Sequence, residues 1–131
     1  MSKYTIGIDP GKKGYIVALD GDGGFAWSFS LEKRTHREII DVLRDHEDCP
    51  VIIERQFAMH GQGLTSTFTT AEGYGVLVGI VEALGMSLRL VRAQDWQKAM
   101  LRGEGKVKGA ELKRQYVAVA ERMWPSVSFR G

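Results

Sequence analysis

Ile6-Gly7-Ile8-Asp9-Pro10-Gly11-Lys12-Lys13 sets one carboxylate at the end of a short apolar strand, just ahead of a Pro-Gly turn. A second carboxylate has a matching setting in Val51-Ile52-Ile53-Glu54. Hard cations such as Mg²⁺ prefer carboxylate oxygens. Two metal ions stabilise the attacking and leaving oxygens of an in-line displacement at phosphorus. A lone strand-end Asp is usually a cap or turn residue, but two acids in these contexts weigh toward a metal site and phosphoryl-transfer chemistry. If a helix crosses over to lay the Val51 strand beside the Ile6 strand in parallel, Asp9 and Glu54 emerge at the same sheet edge.

Around these two strands the pattern is regular. Tyr4 to Ile8 alternates as a strand, and Tyr15 to Leu19 forms the next. Asp20-Gly21-Asp22-Gly23-Gly24 is a hairpin signal. Phe25 to Phe29 returns as a third strand, with Phe25, Trp27 and Phe29 on one face. Thr35 and Glu38 form a capping box at the start of a short amphipathic helix ending near His46. Val51 to Glu54 has no polar residue until its end, so it is expected to be parallel to its neighbours and covered on both faces.

Gln56 to Thr65 is polar and forms a loop. The pattern then predicts a long helix from Ser66 to Leu84. Phe68, Ala71, Gly75, Val78 and Glu82 fall on one stripe; Tyr74, Leu77, Val81 and Leu84 fall on another. Gly73, Gly75 and Gly79 admit a second backbone, either the sheet or another subunit. Ser87 to Val91 is a fifth strand, Ala93 to Met100 a short helix, Gly103-Glu104-Gly105 a break, and Gly109 to Trp124 a terminal helix. The whole describes an α/β domain with a mixed sheet.

The 131 residues suffice for one domain with a core. Met1-Ser2-Lys3 leads straight into a strand pattern, so no targeting leader is expected. Val76 to Leu84 is interrupted by Gly79 and Glu82 and is too short to span a bilayer, so no membrane association is expected. The single cysteine, Cys49, excludes an internal disulfide framework and fits a reducing, cytoplasmic setting. Residues 1–88 carry 8 Lys/Arg against 12 Asp/Glu, whereas residues 89–131 carry 10 against 4. An acidic part beside a basic part suits a metal centre next to a phosphate-binding surface. A solvated basic helix accounts for the same charge.

Ile6-Gly7-Ile8-Asp9-Pro10-Gly11 with Gly14, followed by Ile53-Glu54 and the pair Gln56-Phe57, resembles the RuvC family of Holliday junction resolvases. That family belongs to the RNase H-like (retroviral integrase-like) superfamily. The resemblance covers nearly the whole chain and implies an RNase H-like mixed five-stranded sheet flanked by helices, in a single domain over residues 1–131. It implies a homodimer that nicks four-way DNA junctions symmetrically, using two Mg²⁺ or Mn²⁺ ions held by four acids. Asp9 matches the first acid and Glu54 the second, as catalytic residues and metal ligands. Phe57 falls where the family places an aromatic at the junction centre. The long helix matches the dimer element, which implies an interface at Gly75, Val78 and Gly79. Lys98, Arg102, Lys106 and Lys108 match backbone-contacting positions. The third and fourth acids belong to a C-terminal helix, whereas Pro125-Ser126-Val127-Ser128-Phe129-Arg130-Gly131 contains none. That helix is therefore expected to be missing from the sequence, and the remaining ligands to lie beyond Gly131.

Lys12 and Lys13 are placed to meet a scissile phosphate, though an exposed turn explains them equally well. Thr65 to Thr70 offers hydroxyls and amides at a helix start, a phosphate site or ordinary capping. His60 sits in the loop after Glu54 and reads as a loop histidine; His36 and His46 read as bystanders. Trp96 and Trp124 read as packing residues, with base stacking the alternative for Trp96 beside Lys98. Another RNase H-like nuclease, or a junction-binding protein without catalysis, competes with the resolvase reading. An actin-like kinase half needs a second lobe that 131 residues do not supply.

Overall fold

The computed structural model describes residues 2–57, 60–100 and 109–123. It divides into two compact units, Met1–Arg92 and Ala93–Gly131. The first contains strands β1 (Thr5–Ile8), β2 (Tyr15–Leu19), β3 (Phe25–Ser30), β4 (Val51–Glu54) and β5 (Leu88–Val91), with α1 (His36–Arg44) before β4 and α2 (Leu64–Ala83) after it. The second contains α3 (Ala93–Met100) and α4 (Gly109–Met123). The strands form one sheet in the order β3-β2-β1-β4-β5. β1, β2 and β3 are an antiparallel meander, while β4 runs parallel to both β1 and β5. The mixed five-stranded sheet is the one the sequence predicts.

The β2–β3 connection is held by one side chain. Asp20 Oδ1 accepts the N–H groups of Asp22 and Gly24 at 2.9 and 2.8 Å. A bulge follows: Trp27 pairs with Ala18, but Phe25 pairs with Leu19. Phe25 therefore leaves the face it was expected to share, and is 38% exposed, while Trp27 and Phe29 pack against the core. The extra residue in the bulged strand moves Phe25 to the other side.

Helix α1 starts as the sequence predicts. Thr35 Oγ1 accepts the Glu38 N–H at 3.1 Å, and Glu38 Oε1 accepts the Thr35 N–H at 3.2 Å. That backbone hydrogen bond, then the Arg34 guanidinium, hold the Glu38 carboxyl below its ordinary value. The helix buries Ile39 and Leu43. The His46 ring packs instead, with its centroid 4.8 Å from that of Trp27 and 5.6 Å from that of Tyr4.

Period-2 alternation puts Ile6, Ile8, Ile16, Ala18, Val51 and Ile53 on one sheet face. They form a single core with Ile39 and Leu43 of α1 and Leu77, Ile80 and Val81 of α2. Each fully buried aliphatic side chain there stabilises the fold by about 1.5–3 kcal/mol. Ile52 points to the opposite face and is 36% exposed, so among the described residues that face of β4 is only partly covered, less than its apolar run predicts. Cys49 closes the core at 2% exposure, and burial pushes its thiol pKa up.

Between β3 and α1 the chain turns at Leu31-Glu32-Lys33-Arg34, closed by the Arg34 N–H donating to the Leu31 carbonyl at 3.2 Å. Lys33 holds φ at 59°, the one positive φ at a non-glycine among the described residues. Left-handed backbone costs an L-residue of this kind about 1 kcal/mol.

Candidate active site

The β1–β4 ladder pairs Ile6 with Val51, Gly7 with Ile52 and Ile8 with Ile53. Asp9 and Glu54 are the next residue on each strand. Both acids thus leave the sheet side by side at the same edge, on strands about 4.8 Å apart. Ile8 and Ile53 point into the core, so alternation directs Asp9 and Glu54 to the opposite face.

Each acid is fixed by its local backbone. The Asp9 N–H donates to the Tyr15 carbonyl at 3.0 Å, extending the β1–β2 ladder beyond β1. Asp9 Oδ1 accepts the Gly11 N–H at 3.2 Å, and the Gly14 N–H closes the turn onto the Gly11 carbonyl at 2.9 Å. On β4, the Arg55 N–H donates to the Val91 carbonyl at 2.8 Å, so pairing continues past Glu54. Gln56 Nε2 donates to Glu54 Oε1 at 3.3 Å. The half-buried Glu54 is thereby oriented from its own strand, while Asp9 stays exposed.

Two neighbouring carboxylates fit one hard divalent cation, because Mg²⁺ is commonly held by one or two carboxylates plus substrate phosphates. A pair of ions needs a larger donor set. Among the described residues, no group of three or more His, Cys, Asp or Glu side chains is placed to hold a metal ion.

The other expected site residues are distributed unevenly. Lys12 and Lys13 are exposed on the turn after Asp9. Phe57 is 54% exposed, with the Arg55 guanidinium 5.3 Å above its ring. Gly75 and Gly79 face open space, whereas Gly73 lies against the Pro10 carbonyl, where an added Cβ would sit at 3.6 Å. Val78 is partly buried against the core. Lys98 is exposed on α3, in the second unit. Arg102, Lys106, Lys108 and Trp124 lie outside the described residues. His60 is exposed.

Lys33 and Arg34 were not singled out by the sequence. They line a cleft together with Lys12, Lys13 and the first turns of α2. Nothing local marks them, since only the packing of the β3–α1 turn beside α2 makes them neighbours. Gln56, met in the sequence only as part of a motif, hydrogen-bonds Glu54.

No helix among the described residues is long and apolar enough to cross a membrane. No protein-family model matches the chain, and no curated protein sequence matches it. Solved structures do. Thermus thermophilus RuvC in complex with a Holliday junction substrate aligns with a TM-score of 0.71 at 15% identity, over 98% of this chain and 84% of that one. A further Thermus thermophilus RuvC structure aligns at 0.67 and 16%, with the same coverage. By fold this chain is RuvC-like: an RNase H-like mixed five-stranded sheet flanked by helices.

Proposed function

We propose that the chain is a metal-dependent endodeoxyribonuclease that resolves four-way DNA junctions by symmetric phosphodiester hydrolysis. One observation carries the chemistry. The parallel β1–β4 register delivers Asp9 and Glu54 to adjacent positions at one sheet edge. The junction as substrate rests on likeness to a RuvC structure solved with a Holliday junction substrate.

Asp9 and Glu54 would hold Mg²⁺ or Mn²⁺, and the Gln56 amide keeps Glu54 oriented for it. When bound, such an ion neutralises charge developing on the phosphate. A second ion calls for further acids. Lys12 and Lys13 bind phosphate next to Asp9. Water adds to phosphorus as the bond to the sugar oxygen breaks; the water gives up a proton to solvent, and the departing sugar oxygen takes one up from solvent to leave as a hydroxyl. Phe57 meets the junction centre, and Lys98, Arg102, Lys106 and Lys108 contact the backbone of the arms.

Symmetric nicking calls for a homodimer. The exposed side of α2 supports one. Leu64 and Phe68 are 91% and 68% exposed, and continue through Ala71, Gly75, Val78 and Glu82 at alternating spacings of four and three. That spacing is the seam of paired helices, and Gly75 and Gly79 leave room for a partner helix.

A second reading, junction binding without cleavage, is favoured by the lack of a third metal-ligating side chain among the described residues. One experiment separates the two. The protein is incubated with a four-way junction, a duplex and an RNA–DNA hybrid, in Mg²⁺ and in EDTA. Paired nicks on the junction alone, lost in EDTA and in Asp9→Asn, support resolution. Binding without nicks supports the second reading, and cutting of the hybrid instead sinks both.

A further inference from the structure

The turn after β1, the β3–α1 turn and the first half of α2 enclose a cleft of about 990 Å³. Lys12 and Lys13 line it from one turn, Lys33 and Arg34 from another, and Thr65, Ser66 and Thr70 from the helix. Two carboxylates, Glu32 and Glu72, also line it, so cations outnumber acids. Lys12, Lys13 and Lys33 are exposed and make no ion pair among the described residues. Arg34 is fixed instead: it pairs with Glu38 at 3.1 Å and lies 4.4 Å above the Phe29 ring.

Three further features point the same way. Helix α2 opens on Gly63 without a side-chain cap and with no acid in its first turn, so its positive end is available to an anion. Lys33 occupies a left-handed position where glycine is the relaxed choice. The lysine at this position puts a charge on the cleft wall against the local backbone preference. The cleft adjoins the acid pair without including it: Gly11, whose N–H meets Asp9, and Gln56, which meets Glu54, are among its lining residues.

We propose that this cleft takes the phosphodiester backbone flanking the bond addressed by Asp9 and Glu54, with Lys33 as a phosphate contact. That the flanking polymer is DNA rests on the function proposed above; the affinity of the cleft for a phosphodiester strand rests on its own charge and lining.

The test is a fluorescence-anisotropy titration of a labelled oligothymidylate over a range of salt, in EDTA so that cleavage plays no part. Lys33→Gly is expected to bind several-fold more weakly. Its plot of log affinity against log salt should be shallower by about 0.7, one phosphate contact on a single strand. Its thermal midpoint should be unchanged or higher, because glycine relieves the backbone. Lys33→Arg should restore both affinity and slope. Unchanged affinity and slope in Lys33→Gly overturns the proposal, as does a Lys33→Arg protein that loses binding equally. A cleft that binds inorganic phosphate, with no Lys33→Gly effect on the oligonucleotide, overturns it too. Failure of junction cleavage leaves this measurement intact, and loss of the Lys33 effect leaves the Asp9 chemistry intact.

Discussion

Gly14 packs so closely on Asp9 that a β-carbon there would overlap the Asp9 carbonyl oxygen and lie 2.9 Å from its carbonyl carbon. The same β-carbon would lie 2.9 Å from the Gly11 carbonyl oxygen. All of these neighbours are backbone, which gives way only if the turn moves. Gly14 is thus required for room rather than for a left-handed φ. Gly14→Ala should destabilise the protein by about 1–3 kcal/mol, the range for overpacking. It should also cut nuclease activity beyond what lost folding explains. Urea unfolding and cleavage of a junction by the still-folded fraction check both.

Gln56 Nε2 donates to Glu54 Oε1 at 3.3 Å and so contributes to its orientation. Gln56→Ala should lower cleavage by about 10–100-fold, the usual effect of an outer partner to a metal ligand. Raising Mg²⁺ should recover part of the loss. Asp9→Asn should lose more and recover nothing, with junction affinity in EDTA retained. A Mg²⁺ titration of initial rates distinguishes them.

On α2, Gly75 and Gly79 are exposed and meet no atom within 4 Å of an added β-carbon. Within one subunit their replacement by alanine should raise helix stability by about 1 kcal/mol each. Replacement by leucine should leave the subunit folded but separate a dimer into monomers. Sedimentation velocity of Gly75→Leu/Gly79→Leu beside the wild type reads the outcome, and an unchanged dimer would remove this face from the interface.

The α1 capping box makes two measurable contributions. Thr35→Ala should cost about 1 kcal/mol. The Glu38 pKa is lowered in the folded chain, so its contribution is present above the ordinary carboxylate range and is lost as pH falls through the lowered value. Urea midpoints of wild type and Glu38→Gln should therefore differ near neutral pH and converge in acid.

Local chemistry explains what the sequence made legible. Thr35 and Glu38 are three residues apart, and Val51 to Ile53 is an uninterrupted apolar run ending at Glu54, so α1 and β4 form where their patterns predict. The pairing of Asp9 with Glu54 followed from two strand ends and one crossover. What stayed hidden depends on relations that no short window contains. The bulge that moves Phe25 exists only between two strands. The exposure of Ile52 depends on what packs above the sheet, not on β4 itself. Lys33 carries a conformation usually signalled by glycine, and so its turn gave no sign in the sequence. The ring contacts of His46 join it to Tyr4 and Trp27, residues distant in the chain.

The burial of Cys49 has a practical consequence. It is the only thiol in the chain, and it is sealed in the core beside the start of β4 with its ionisation suppressed by burial. Thiolate is the reactive form, so an alkylating reagent meets it only when the core opens. The rate of labelling at this single atom is then a clock for opening of the sheet at β4, the strand that carries Glu54. It runs without any added probe, and in the presence or absence of metal and DNA.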